Sequence, residues 1–264
     1  MEGKVALVTG SSGGLGSGIC EAFAREGADC TVVYNSDRGG GQDTVNLVER
    51  LGRRSLLLQA DVSKEDQVQA MVDSVLHTFG RLDIVVANAG LGMAKHLLET
   101  RLEDFEKLVR TNLFGTYLTV RIGAQAMSSQ GSGKIITMSS VHGLGGAHYC
   151  SLYEATKAGI LNFTRGVAFD LSDYNIQVNC IAPGAVPVPK DPPPAKDSAL
   201  YQAWMEFTPL SRFGRPKDVA GAAVFLASSD SDWITGQVIV VDGGITAGHL
   251  IPSFKVYGNK PRMG

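Results

Sequence analysis

Cysteine is scarce in this chain and never clustered. Its 264 residues hold four, Cys20, Cys30, Cys150 and Cys180, with no CxxC pair and no histidine beside them at metal-ligand spacing. Nothing therefore points to a disulfide framework or a metal site, and the cysteines read as small core residues in a reducing compartment. Long apolar runs are also missing, so no membrane span is expected. The opening Met1-Glu2-Gly3-Lys4 leads into Val5-Ala6-Leu7-Val8, an apolar stretch too short for a secretion signal. Neither sign of charge dominates: 24 Lys and Arg face 26 Asp and Glu, for a net −2. That balance offers nucleic acid or an anionic membrane no electrostatic reason to bind. A cytoplasmic protein with small-molecule ligands is the expectation.

What is present is apolar material, 44% of the residues, in short runs that alternate with longer amphipathic stretches. Candidate strands are 5–9, 30–34, 55–59, 84–87, 134–138, 177–181 and 238–241. Their β-branched character, apolar on both faces, is that of a parallel sheet covered by helices. The intervening segment 65–79 puts Val68, Met71, Val72, Val75 and Leu76 on one helical stripe, with Ser63 and Asp66 spaced as a capping pair. The chain thus reads as α/β, a single doubly wound Rossmann domain over residues 1–247, with about seven parallel strands and ligands at their carboxyl ends. Residues 183–194 hold six of the ten prolines and read as a loop, either a stiff connection or part of a lid over the site at 185–208. The stretch 248–264, with Leu250, Ile251, Phe254, Val256 and Tyr257, is too apolar for a solvated tail and is expected to pack on a neighbouring subunit or over a pocket.

The first strand runs into Thr9-Gly10-Ser11-Ser12-Gly13-Gly14-Leu15-Gly16 and then a helix from about Ser17 to Arg25. Glycines let a backbone turn tightly and approach a pyrophosphate, while a helix N-terminus offers unpaired N–H groups. The spacing is TGxxxGxG, and because Gly13 is glycine it also fits TGxxGxxG. Further along come Asp61-Val62, Asn88-Ala89-Gly90, Asn112, Ser139-Ser140, Tyr153-x-x-x-Lys157 and Asn179-x-x-Ala182-Pro183-Gly184. Pro209-Leu210-x-Arg212-x-Gly214-x-Pro216, Ile234-Thr235-Gly236-Gln237 and Val241-Asp242-Gly243-Gly244 follow. In this order and spacing the chain resembles the short-chain dehydrogenase/reductase family over roughly residues 3–246, most closely its 3-oxoacyl reductase and glucose dehydrogenase-like carbonyl reductases.

Tyr153 and Lys157, four apart, share one face of a helix, and a nearby ammonium should lower the tyrosine's pKa and make it a proton donor for a forming alkoxide. The resemblance implies that Ser140, thirteen residues before Tyr153, orients the substrate oxygen, that Lys157 also binds the nicotinamide ribose, and that Asn112 holds a water in a proton relay. It further implies a cofactor cleft of Gly10, Ser12, Gly13, Gly14, Leu15, Gly16, Tyr34, Asn35, Ser36, Asp61, Val62, Asn88, Ala89, Gly90, Tyr153 and Lys157. There Asp61 would hold the adenine, and Pro183, Gly184 and Val186 would face the nicotinamide. Where relatives carry a threonine toward the carboxamide, this chain has Val188. The end of the second strand carries Tyr34-Asn35-Ser36-Asp37-Arg38, with tyrosine at the usual acidic position. Asn35, Ser36 and Arg38 could hold a ribose phosphate, which favours NADP(H), with NAD(H) left open by Asp37. His142, Tyr149 and Trp204 are candidate substrate contacts, as are Met93 and Phe207. The resemblance also implies a homotetramer built on helices near 101–127 and 153–171. Alternatives are a sugar-nucleotide epimerase, whose relatives are longer, and an enoyl reductase, whose tyrosine would stand where Cys150 does. A non-catalytic cofactor-sensing protein is the different-class reading.

Overall fold

The computed structural model describes residues 1–188 and 191–248. Seven strands form one parallel sheet in the order β3-β2-β1-β4-β5-β6-β7: β1 Val5–Val8, β2 Asp29–Tyr34, β3 Ser55–Gln59, β4 Ile84–Ala87, β5 Gly133–Met138, β6 Ile176–Pro183 and β7 Val238–Val241. β1 pairs with β2 on one side and β4 on the other, so the strand order reverses there and opens a crevice at the carboxyl ends. Pro183 closes β6 without breaking the sheet. It lies beyond the last residue of β6 paired to β5, Ile181, and pairs only toward β7 through Val241, so its missing N–H costs no ladder bond on the β5 side.

The pleat sends alternate β1 side chains to two cores. Val5 and Leu7 pack with α3 (Glu65–Phe79), α5 (Gly115–Gln130) and α6 (Ser151–Asp170), through Val68, Val72, Ile122 and Ala168. Ala6 and Val8 pack with α1 (Gly14–Arg25), α2 (Arg38–Arg50) and α8 (Pro216–Ala227), through Ile19, Phe23, Val48 and Val219. α1 and α8 touch closely enough that a β-carbon on Gly18 would sit 2.6 Å from Pro216 Cβ. α8 begins at Pro216, whose missing N–H would be unpaired there anyway, and Asp218 accepts from Arg215 N at 2.7 Å to close the turn.

Two local expectations change. Ser63 does not cap α3: its N–H and hydroxyl both donate to Asp61 Oδ1, at 3.0 and 2.8 Å, and Lys64 takes the cap position with no side-chain bond. A short hydroxyl that can reach a carboxylate two residues back satisfies that neighbour first. The expected loop 185–208 contains a helix, α7 (Ala199–Phe207), started by Ser198, whose hydroxyl accepts from Tyr201 N at 3.1 Å. A seven-residue α4 (Leu102–Leu108) runs through a π-helical turn, Val109–Phe114, into α5. The expected role of 248–264 falls, from residue 249 onward, outside the described residues.

Candidate active site

The glycine turn is drawn tight by its neighbours. Gly10 has φ +65°, and a β-carbon there would meet Ala89 Cα at 2.8 Å. One on Gly16 would sit 2.7 Å from Gly10 O. Asn88 pins the same turn by donating Nδ2 to Thr9 O at 2.8 Å and Gly10 O at 3.2 Å, while its backbone N–H donates to Thr9 Oγ1 at 3.0 Å. A β-carbon on Gly13 would meet nothing within 4 Å, and Gly13, Gly14 and Leu15, at the start of α1 where backbone N–H groups lack helical partners, border the cleft. That cradle, which any side chain at Gly13 would begin to fill, fits the pyrophosphate of a dinucleotide.

From the cradle a cleft of about 640 Å³ runs along the carboxyl ends of the strands. It brings together Gly10, Ser12, Gly13, Gly14, Leu15, Tyr34, Asn35, Ser36, Asp61, Val62, Asn88, Ala89, Gly90, Tyr153, Lys157 and Val186. Gly16 lies beneath the turn rather than on the cleft wall, and Gly184 borders a separate cavity of about 100 Å³ beside Asp242. Pro183 is buried at the end of β6. Val188 reaches across to the glycine turn: a β-carbon on Gly14 would meet its Cγ1 at 2.9 Å.

At the far end of the cleft α6 presents Tyr153 and Lys157 one turn apart. Ser140 stands close enough to the Tyr153 hydroxyl to act on its pKa, and its Oγ accepts from His142 N at 3.2 Å. Ser139 differs: its hydroxyl donates to Lys157 O at 2.8 Å and ties β5 to α6. Lys157 is buried and donates Nζ to Met138 O at 2.9 Å, its one hydrogen bond among the described residues, which leaves two N–H directions for a ligand. Asn112 is fully buried in the π turn. Its Oδ1 accepts from Leu91 N at 2.7 Å, and its Nδ2 donates to Leu91 O at 3.0 Å and Thr156 Oγ1 at 3.1 Å. A β-carbon on Gly90 would stand 3.4 Å from Asn112 Oδ1 and 3.5 Å from Lys157 Nζ, so the two groups flank the same glycine.

The electrostatics differ from the expectation of a lysine-acidified tyrosine. Burial raises the Tyr153 pKa, against which the Ser140 hydrogen bond works in the lowering direction. Burial also brings Lys157 down to about 8. The reason is geometric: the ammonium is turned to Met138 O and stands 5.6 Å from the Tyr153 ring centre, so desolvation outweighs mutual attraction.

The substrate candidates separate. His142 packs edge-on against Tyr153, with ring centres 5.7 Å apart, and its Nδ1 pairs with Glu154 Oε1 at 3.2 Å. Tyr149 is 59% exposed in the left-handed region, φ 68°, held where its carbonyl accepts from Lys95 N at 2.7 Å and its ring stands between His96 and His148. Trp204, on α7, packs on Phe213 rather than lining the cleft.

A family model described as enoyl-(acyl carrier protein) reductase matches residues 10–246. The chain belongs to the short-chain dehydrogenase/reductase family. Glucose 1-dehydrogenase 2 of Bacillus subtilis is 35% identical to it, over 96% of this chain and 97% of that one. A 3-oxoacyl-(acyl-carrier-protein) reductase of Chlamydia muridarum is 37% identical over 92% and 97%. Among solved structures, a short-chain type dehydrogenase/reductase from Mycobacterium marinum superposes with a TM-score of 0.88 at 34% identity, covering 94% of this chain and 97% of that one.

As a short-chain dehydrogenase/reductase the protein is an oxidoreductase acting on CH–OH or carbonyl groups. Asp37, Ser139 and Val188, each singled out in the sequence, also line the cleft, as do Ala60, Leu91, Gly92, Thr111, Met138 and Asp191, to which the sequence assigns no role. Ala60, directly before Asp61, and Leu91-Gly92, directly after Gly90, were within reach of the motifs. Asp191 carried no signal, because the proline-rich segment that delivers it has no period to read. Its placement comes from backbone bonds with Val188 at 3.0 and 2.8 Å. No helix among the described residues is long and apolar enough to cross a membrane.

Proposed function

We propose that this enzyme exchanges hydride between NADP(H) and a ketone or secondary alcohol of 3-oxoacyl, sugar or polyol type, with Tyr153 as the proton donor and acceptor. The observation that carries the reading is that Tyr153 and Lys157 line the same cleft as the glycine cradle of Gly10, Gly13 and Gly14, with Ser140 acting on the Tyr153 hydroxyl. When bound, the nicotinamide supplies or accepts the hydride. The chain's own residues do the rest. Ser140 and Tyr153 hold the substrate oxygen between two hydroxyls, and Tyr153 delivers its proton as negative charge develops there. A raised pKa keeps the hydroxyl protonated, and so competent as an acid, at neutral pH. Lys157, through its two spare N–H groups, binds ribose hydroxyls and steadies the phenolate left behind. Asn112 holds Leu91 and α6 at a fixed spacing beside them. A ketone panel spanning 3-oxoacyl thioesters, sugars and cyclic ketones tests the reading: wild type should turn over at least one with NADPH, and no turnover on any would contradict it.

Preference for NADP(H) is supported by Tyr34 at the position where an acid would repel a phosphate, and by Arg38, an exposed guanidinium with no partner among the described residues. Asp37 has its carboxylate engaged at the start of α2, accepting from Gly40 N at 3.0 Å. Arg38→Ala should weaken NADPH about tenfold and leave NADH within about twofold, as expected for one charge-assisted phosphate contact. Equal kcat/KM with both cofactors in the wild type would overturn the preference. A homotetramer is the further expectation. It is supported by apolar side chains left exposed on the helices between 101 and 171, among them Leu102, Phe114, Tyr117 and Phe169. Light scattering giving a monomer mass would reject it.

A further inference from the structure

Beyond Tyr153, the wall of the cleft carries three side chains that proton transfer does not use. His142 follows β5, Cys150 immediately precedes α6, and Glu154 lies in the first turn of α6. Among the described residues this is the one set of three His, Cys or carboxylate groups whose ligand atoms all lie within 4.8 Å of one another. Two ligands held tetrahedrally on Zn²⁺ at about 2.0–2.1 Å stand about 3.3 Å apart. His142 Nδ1 and Glu154 Oε1 are separated by 3.2 Å, already the length of such an edge. Glu154 Oε1 accepts from Ala147 N at 2.6 Å, an outer bond of the kind that orients a ligating carboxylate. The Cys150 thiol has no hydrogen-bond partner among the described residues, and it is the one cysteine not buried. Sequence spacing gave no hint of this, because the three residues converge only when the 141–150 loop folds back on α6.

We propose that His142 Nδ1, Cys150 Sγ and Glu154 Oε1 form a site for a single Zn²⁺-class cation, with a fourth position left to water, and that its occupancy slows turnover. A nitrogen, sulfur and oxygen donor set selects a borderline cation over Mg²⁺ or Ca²⁺. Binding exchanges the Cys150 S–H bond for a sulfur–metal bond, and the proton leaves to solvent. Turning the His142 ring from Glu154 toward a cation changes the edge that packs on Tyr153, which is how occupancy reaches the proton donor. The metal site stands by itself; only the slowing rests on the oxidoreductase reading.

The test uses the full chain, stripped with a chelator and titrated with ZnCl₂ in two buffers of different ionisation enthalpy, with Co²⁺ as a spectroscopic probe. One equivalent of Zn²⁺ should bind with release of about one proton. Co²⁺ should give a thiolate-to-metal absorption band that Cys150→Ser abolishes. Cys150→Ser and Glu154→Gln should each weaken Zn²⁺ at least about tenfold, since even outer contacts of metal sites cost that much. Melting curves verify that both variants are folded. NADPH-dependent turnover of the wild type should fall several-fold at one equivalent of Zn²⁺ and return with chelator, while Cys150→Ser shows the same rate with and without the metal. Wild-type affinity no better than that of the two variants, a Co²⁺ complex without the thiolate band, or turnover indifferent to Zn²⁺ would overturn the proposal. A metal-free wild type inert toward every carbonyl would instead sink the oxidoreductase reading, and the binding arms would then decide the site alone.

Discussion

The two ends of the cleft are built by different means. At the cofactor end the shape is made by backbone: glycines at 10 and 16 allow contacts below 3 Å for any added carbon, and Asn88 spends its side chain on main-chain carbonyls. At the substrate end the shape is made by side chains on loops, such as Tyr149, exposed and in an unfavourable backbone conformation, and His142, held by its ring contacts with Glu154 and Tyr153. A site made of backbone tolerates little change and has one ligand geometry. A site made of loop side chains can be altered without touching the fold.

Substitutions at the two ends should therefore behave differently. The largest stability effect is expected from Gly10→Ala, which forces a β-carbon to 2.8 Å from Ala89 Cα at φ +65°. A loss of about 2–3 kcal/mol should appear in urea unfolding, with cofactor affinity reduced as well. Loss below about 1 kcal/mol would mean the turn can relax and the backbone account of this end is too rigid.

Lys157→Met should do the reverse, stabilising the cofactor-free protein while removing activity. The ordinary lysine value of 10.5 is lowered by burial to about 8, so between about pH 8 and 10.5 the unfolded chain holds more protons than the folded one. Stability then rises with pH across that window, and the cost of the buried charge is fully present below pH 8. After allowing for the lost hydrogen bond to Met138 O, the methionine variant should gain about 1–2 kcal/mol at pH 7. The gain should shrink by pH 10. Unfolding curves at both pH values check this, and a variant less stable at pH 7 would show that the ammonium is better compensated than its one bond suggests.

The smallest stability effect belongs to the substrate end. Tyr149→Gly removes a half-exposed ring and relieves a left-handed backbone that tyrosine disfavours, so the two changes offset and stability should stay within about 1 kcal/mol. KM for the carbonyl substrate should change by more than KM for NADPH. The opposite split would place Tyr149 on the cofactor side and erase the contrast.

The same contrast governs what could be read from the sequence. The seven strands were legible to within a residue or two, because both faces of a parallel strand are apolar and the pattern needs no partner to be seen. The glycine turn was legible because only glycine permits its contacts. Residues 185–208 were not: α7 and the Val188–Asp191 pairing depend on contacts made after the chain has turned back over the cleft. Ser63 departs from the capping role its spacing predicts because a local carboxylate, Asp61, outcompetes the helix end for its hydroxyl. Composition predicts four core cysteines, but only Cys20, Cys30 and Cys180 are buried and Cys150 is the exception. The weakened acidity of Tyr153 also lay beyond the sequence, since helical spacing gives the neighbour of a residue but neither its desolvation nor the direction of its ammonium.

The central claim is that Tyr153 supplies the proton when hydride reaches the carbonyl carbon, while the cofactor end stands independently of it. Stopped-flow decay of NADPH absorbance after mixing with a ketone substrate, in wild type and Tyr153→Phe, tests this most directly. The account predicts that the hydride-transfer rate falls by about 10²–10⁴ with NADPH affinity unchanged within about twofold. A Tyr153→Phe enzyme that transfers hydride within tenfold of the wild-type rate would contradict it.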